Sequence, residues 1–419
     1  MPILLIAFIA TAALWTALSL YLSVRQTECV RRHRDAVPDD FAANVTIGEH
    51  SKAADYTMAN ERLARVRTVL DLVETMAWVL GGINLLYGAL ASVLPPSLWL
   101  GVVFLLATSA VSVALRLPLD VYDTFVLEQK FGFNRTTPLT FVTDHLKSWA
   151  IGLTIAVPLL FACLWAMRSF SGLWWLWAWL AVLALMFAAP TVYVRLIAPR
   201  FNKFIPLQDG ELRVRIENLL SRCGFRSSGL FSMDASRRSA HGNAYFIGFG
   251  NTKRIVLFDT LLTGSEPDEI EAVVAHELGH YRHRHVLFGL VRGAVIAFVV
   301  LAAFGWLSKQ PWLLPSFGIV YHDNALALLA CLLLNSMVTP LLTPIGNWIS
   351  RRNEFQADDY ARRNVAAAPM ISALLKLSRD NASTLTPDPL YAVVHYSHPP
   401  VPIRVRHLHE AEARREVAA

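Results

Sequence analysis

Apolar residues in this chain gather in long, nearly uninterrupted runs, and the polar residues gather between them. Seven runs stand out, at about 3–23, 75–94, 97–115, 149–167, 173–195, 286–307 and 325–345. Each is close to the roughly 20 residues that a helix needs to cross the hydrocarbon of a bilayer. The pattern therefore predicts seven transmembrane helices. The first run does not read as a cleaved leader, because no basic residue precedes it and its positive charges (Arg25, Arg31, Arg32, Arg34) follow it.

The polar stretches set the orientation. Segments 24–74, 116–148 and 196–285 are rich in Lys and Arg, whereas the alternate connections carry none at Pro95–Pro96, only Arg168 after the fourth run and only Lys309 after the sixth. Basic loops stay in the cytosol, so the N-terminus is expected outside and the C-terminus inside. The organisation that follows is five spans in 1–195 with cytosolic loops 24–74 and 116–148, then a cytosolic part at 196–285. Spans six and seven occupy 286–345, and a second cytosolic part occupies 346–419. Asp71 and Glu74 share a face where the second span begins. They mark either a water-lined cavity or a span that starts later than its apolar run.

Composition agrees. Only 17% of the 419 residues are charged and 54% are hydrophobic, against about 25% charged in soluble proteins. The net charge of +6 comes from the loops, as membrane topology requires, and does not point to a nucleic-acid partner. Cys29, Cys163, Cys223 and Cys331 are scattered, which excludes a disulfide framework or a thiolate metal site. The sequons at Asn44, Asn134 and Asn381 all fall on the cytosolic side and are expected to stay unmodified. No internal repeat of the kind transporters carry is present.

Chemistry enters at HELGH. His276 and His280, four apart on a helix, project from one face toward one ion, and Glu277 beside them can reach a water on that ion. This is the zinc logic of H-E-x-x-H, with glutamate as general base. Nothing in the sequence breaks the helix before His285. From His280 to Val286 is six residues, roughly 9 Å of helix, so the metal is expected close to the membrane surface. A third ligand is needed. His283 and His285 fail the metzincin spacing and read as a basic patch at the membrane edge. Glu354 and Asp358, four apart in NWISRRNEFQAD, offer two readings. In one, Glu354 completes the site and Asp358 holds the second nitrogen of a ligand histidine. In the other they are a solvated acidic face opposite Arg351 and Arg352. Just upstream of HELGH, NAYFIGFG and RIVLFDT flank the turn GNTK and read as a β-hairpin. Its strand, through Asn243, Ala244, Tyr245 and Phe246, either holds an extended peptide by backbone hydrogen bonds or merely packs on the helix.

HELGH, NWISRRNEFQAD and SHPPVPIR, together with TFVLEQKFGFN, APRFNKFIPL and NAYFIGFGNTKRIVLFDTLL, resemble the type I CAAX prenyl endopeptidases over nearly the whole chain. The resemblance implies a mainly α membrane protein, its seven helices enclosing a water-filled chamber closed on the cytosolic side by a gluzincin-like metalloprotease domain with a small β-hairpin. It implies one zinc ion per chain, bound by His276, His280 and Glu354, with Glu277 catalytic and Asp358 behind a ligand histidine. By the same resemblance Asn243 and His398 face the substrate and Arg404 organises the site. The expected partners are the lipid bilayer and peptide or membrane-protein substrates, prenylated or similar. The rivals are an HtpX-like quality-control membrane metalloprotease, which has fewer spans and no SHPP segment, and a non-catalytic scaffold. A preference for Arg over Lys suggests a bacterial inner membrane; in a eukaryote the membrane would be that of the endoplasmic reticulum.

Overall fold

The structure is a computed structural model that describes residues 3–170, 172–225, 227–247 and 254–418. Seven of its helices are long and apolar enough to cross a membrane. They are α1 (Ile3–Arg32), α2 (Ile47–Ala91), α3 (Leu98–Phe131), α4 (Pro138–Ser169) and α5 (Trp174–Phe201), followed after the first polar part by two more. That part holds strand β1 (Phe204–Pro206), helix α6 (Glu211–Arg222), strands β2 (Leu230–Met233), β3 (Ala244–Ile247) and β4 (Arg254–Phe258), and helix α7 (Pro267–Arg282). Spans α8 (His285–Leu307) and α9 (Asn324–Asn364) come next, then α10 (Ala367–Asp380), α11 (Pro389–His395) and α12 (Val401–Ala418).

All seven expected spans fall on these helices, but most of the helices outrun them. Helix α2 begins near residue 47, where Thr46 and Glu49 form a reciprocal capping box. Asp71 and Glu74 therefore lie inside a continuous helix and mark no helix start. Arg116 of α3 reaches Asp71 at 2.8 Å and Glu74 at 3.2 Å, and Arg67 reaches Asp120 and Asp123 at 3.1 and 3.0 Å. Two rungs of ion pairs thus join α2 to α3 where the spans meet the polar parts. Helix α2 bends farther on, at a π-turn over Trp78–Gly82 in which Gly81 takes a φ of 149° open to glycine. Helices α5 and α8 bury none of their most apolar windows inside the protein, as expected of faces that lipid covers.

A break that the sequence does not announce lies between α7 and α8. The HELGH helix stops at Arg282, and Arg284 adopts a left-handed φ of 55° before α8 starts at His285. The helix expected to run unbroken into the membrane is therefore two helices with a joint.

The four strands form one sheet in the order β1-β2-β4-β3, with β2 and β4 parallel and the other pairs antiparallel. Strands β3 and β4 pair as the expected hairpin, from Ala244 opposite Leu257 to Ile247 opposite Arg254; its GNTK turn lies outside the described residues. Ile255 and Leu257 of β4 enter a core with Ile270 and Leu278 of α7, Ile216 of α6 and Leu408 of α12, all 2% exposed or less.

Helix α7 also lies against α9, and the two backbones come close at Gly279. A Cβ on Gly279 would stand 2.8 Å from the Ala357 Cα, with backbone and not a movable side chain in the way. Gly279→Ala should therefore force the two helices apart and lower the thermal midpoint of the protein in detergent, by the equivalent of about 1–3 kcal/mol of overpacking. An unchanged midpoint would show that this contact is slack.

Candidate metal centre

Helix α7 starts at Pro267 with Glu266 and Glu269 capping each other. His276 and His280 then leave one face with their Nε2 atoms 3.2 Å apart. From α9, Glu354 brings Oε2 to 3.4 Å from His276 Nε2 and Oε1 to 3.2 Å from His280 Nε2. Zinc bonds of about 2.0–2.2 Å at tetrahedral angles place neighbouring ligand atoms about 3.3 Å apart. The three separations match that triangle. Glu354 is 4% exposed, and its buried Oε2 accepts no hydrogen bond from the protein among the described residues. The nearest cation to that oxygen is Arg404, with Nη1 3.6 Å away, and the convergence of two imidazoles and one carboxylate on one point is a donor set that fits a metal.

Behind His276, Nδ1 lies 2.9 Å from Asp358 Oδ1. Asp358 is fully buried and receives two hydrogen bonds from Arg404, from Nε at 2.8 Å and Nη2 at 2.6 Å. Burial by itself would lower the His276 pKa, but the hydrogen bonds to Asp358 and Glu354 outweigh it and hold it at about 9. The carboxylates thus favour positive charge at this point, which is the charge a metal brings. Glu277 makes no hydrogen bond to protein among the described residues, and burial pushes its carboxyl pKa up, toward the range of a general base working near neutral pH.

One cavity of about 390 Å³ gathers His276, Glu277, His280, Glu354, Asn243, Ala244, His398 and Arg404. Its apolar wall is Leu261, Val273, Met370, Leu374 and Leu377. His398 sits at the rim, its side chain 65% exposed, with Nε2 3.4 Å from Glu354 Oε1. The side chains of Tyr245 and Phe246 do not reach the cavity. Tyr245 turns to Met233 and Phe258, and Phe246 packs edge-on against Phe225.

Several supports were not read from the sequence. Asn381 accepts from Gly242 N at 3.2 Å and meets His241 Nδ1 at 3.1 Å, and Glu128 of α3 lies 3.5 Å from His241 Nε2. The approach to β3 is thereby tied to a membrane helix. The SHPP segment is held through Arg351 to Tyr396 O and through Arg25 of α1 to Asp388. His285, assigned to a surface patch with His283, instead meets His280, with their Nδ1 atoms 3.0 Å apart. Its signal was only its place five residues after a ligand.

Helix-borne HExxH, a glutamate from a later helix and seven membrane-length helices define a class: integral-membrane metallopeptidases. Comparison with known proteins agrees. Residues 26–203 match the family model described as CAAX prenyl protease N-terminal, five membrane helices, and 206–412 match Peptidase family M48. The chain is 39% identical to the CAAX prenyl protease 1 homolog of Arabidopsis thaliana over 69% of each chain. It is 32% identical to that of Caenorhabditis elegans over 94% of this chain and 95% of the relative. The crystal structure of S. mikatae Ste24p superposes with a TM-score of 0.89 at 30% identity, covering 97% of this chain and all of that one. The chain belongs to the CAAX prenyl protease family of M48 metallopeptidases, an integral-membrane metalloendopeptidase of CAAX type.

The Arg404–Asp358 pair makes a prediction of its own. Arg404→Leu leaves a carboxylate buried without its cation, at a cost of about 3–5 kcal/mol. The thermal midpoint should fall sharply, and an unchanged one would mean that His276 alone satisfies Asp358.

Proposed function

We propose that this protein is a zinc endopeptidase that cuts peptides at the membrane face, next to a prenylated or similarly lipidated C-terminal cysteine. His276, His280 and Glu354 hold the ion, and the observation that carries the reading is their triangle, open to the cavity beside Glu277. When bound, zinc polarises a carbonyl and acidifies a water. Glu277 accepts the proton of the attacking water and delivers it to the amide nitrogen as the C–N bond breaks. His398 donates from the rim to the carbonyl oxygen as that atom gains charge. Asp358, fixed by Arg404, accepts from His276 Nδ1 and keeps Nε2 free to bind.

The substrate runs along β3. That strand pairs with β4 on one side only among the described residues, and its other edge offers backbone groups to an extended chain. Asn243 and Ala244 contribute from within the cavity, Tyr245 and Phe246 through their backbone alone. The apolar wall suits aliphatic side chains.

The spans are arranged as the loop charges require, with the N-terminus outside and the two polar parts, 196–285 and 346–419, together in the cytosol. The charged rungs between α2 and α3 favour a water-filled interior within the bundle. The named relatives are eukaryotic and lend no support to a bacterial origin. In a eukaryotic cell the same topology puts the cleft at the cytosolic face of the endoplasmic reticulum.

The test uses purified protein in detergent and one peptide prepared with and without a farnesyl cysteine. Cleavage sensitive to o-phenanthroline, confined to the lipidated peptide and next to its cysteine, is expected. Glu277→Ala should keep its zinc and lose turnover by about 10²–10⁴-fold. Equal cleavage of both peptides would replace the CAAX reading with a general, HtpX-like endopeptidase, and retained turnover in Glu277→Ala would remove the general base.

A further inference from the structure

The joint between α7 and α8 places a non-glycine residue, Arg284, in the left-handed region at φ 55° and ψ 31°, a conformation that side chains disfavour. What the joint does is visible at the next residue. It turns His285, the first residue of a membrane-length helix, back against the HELGH helix.

There His285 Nδ1 lies 3.0 Å from His280 Nδ1, and His285 Nε2 lies 2.8 Å from Gln356 Oε1 on α9. His283 stacks on the far face of the His285 ring at 5.5 Å and 14°. The protons along this chain follow from the metal triangle. His280 Nε2 faces Glu354 and must be bare to bind an ion, so its Nδ1 carries the hydrogen and donates. His285 Nδ1 must then accept, which leaves the hydrogen on His285 Nε2. That nitrogen faces a carbonyl oxygen, the one partner that can accept it. Each link therefore leaves one tautomer open to the next. The two ligand histidines are both backed, His276 by the Asp358 carboxylate and His280 by a neutral imidazole. Helix α9 supplies the ligand Glu354, the acceptor Asp358 and, between them, the Gln356 that anchors His285.

We infer that His285 is a positioning residue for the metal centre, fixing the tautomer and ring orientation of His280 and joining membrane helix α8 to the ligand set. The inference rests on the assignment of His276, His280 and Glu354 as ligands. It gives the joint a purpose: a helix continuing straight through residue 284 would carry residue 285 away from this position.

The test measures metal affinity on the full-length protein in detergent by competition with a chromogenic chelator, and records the visible spectrum after Co²⁺ substitution. His285→Ala should weaken zinc binding about 10–100-fold and shift the cobalt bands. His285→Gln, whose side-chain oxygen can accept from His280 Nδ1, should restore most of the affinity, which a merely structural role would not require. Gln356→Ala, at a more exposed position, should change the cobalt bands in the same direction by less. Wild-type affinity and an unchanged spectrum in His285→Ala overturn the inference. If that variant does not fold, wild-type affinity and spectrum in Gln356→Ala overturn it instead. Glu354→Ala separates the two levels: if it too binds zinc like wild type, the ligand assignment has failed, whereas a silent His285 beside a damaged Glu354 variant removes only the positioning role.

Discussion

The close approach of α7 to α9 at Gly279 is the constraint on which the site depends. Two of the candidate ligands stand on one helix and the third on the other, so their triangle exists only while the two helices stay in contact. A side chain at residue 279 would hold them apart. The charges follow from that contact. Bringing Glu354 and Asp358 into a dry interface costs desolvation, which Arg404 offsets with a hydrogen bond to each Asp358 oxygen and the two histidines with close contacts to Glu354. Glu354 Oε2 accepts no hydrogen bond among the described residues, and it lies 3.6 Å from Arg404 Nη1 and 3.4 Å from His276 Nε2.

The polar parts are separate in sequence but not in space. One lies before the last two spans and the other after them, and α9 carries the chain from the bilayer directly into the second. Its 41 residues amount to roughly 60 Å of helix, more than a hydrocarbon core is thick. A single helix therefore carries Glu354 from a membrane-length apolar stretch into the cavity. The ties from Glu128 to His241, from Arg25 to Asp388 and from Arg351 to Tyr396 brace the cavity walls against the membrane helices. Hydrolysis close to the bilayer then follows from mechanics: the cleft is built on the ends of the spans.

Much of this was legible from residue order. Hydropathy finds a membrane helix because the bilayer imposes its length, and HELGH fixes two ligands because i and i+4 share a helical face. The ends of the spans were not legible, because helices such as α2 and α9 continue as polar helices where hydropathy falls. The break before α8 was hidden as well. Chains usually announce a left-handed turn with glycine or asparagine, and here Arg284 makes it. That break is why His285 looked like part of a surface patch. Residue order also gave no way to choose between the readings of Glu354 and Asp358. Only the family resemblance suggested a choice, and packing against α7 supplies the physical reason for it. Tyr245 and Phe246 lie on β3, but their side chains turn to Met233, Phe258 and Phe225 and not to the cavity.

Anomalous X-ray scattering at the zinc edge, from crystals of the purified protein, locates the ion itself. A single peak is expected within bonding distance of His276 Nε2, His280 Nε2 and a Glu354 oxygen. A protein that hydrolyses peptides with its peak elsewhere, or with Glu354 turned away from it, would contradict the account.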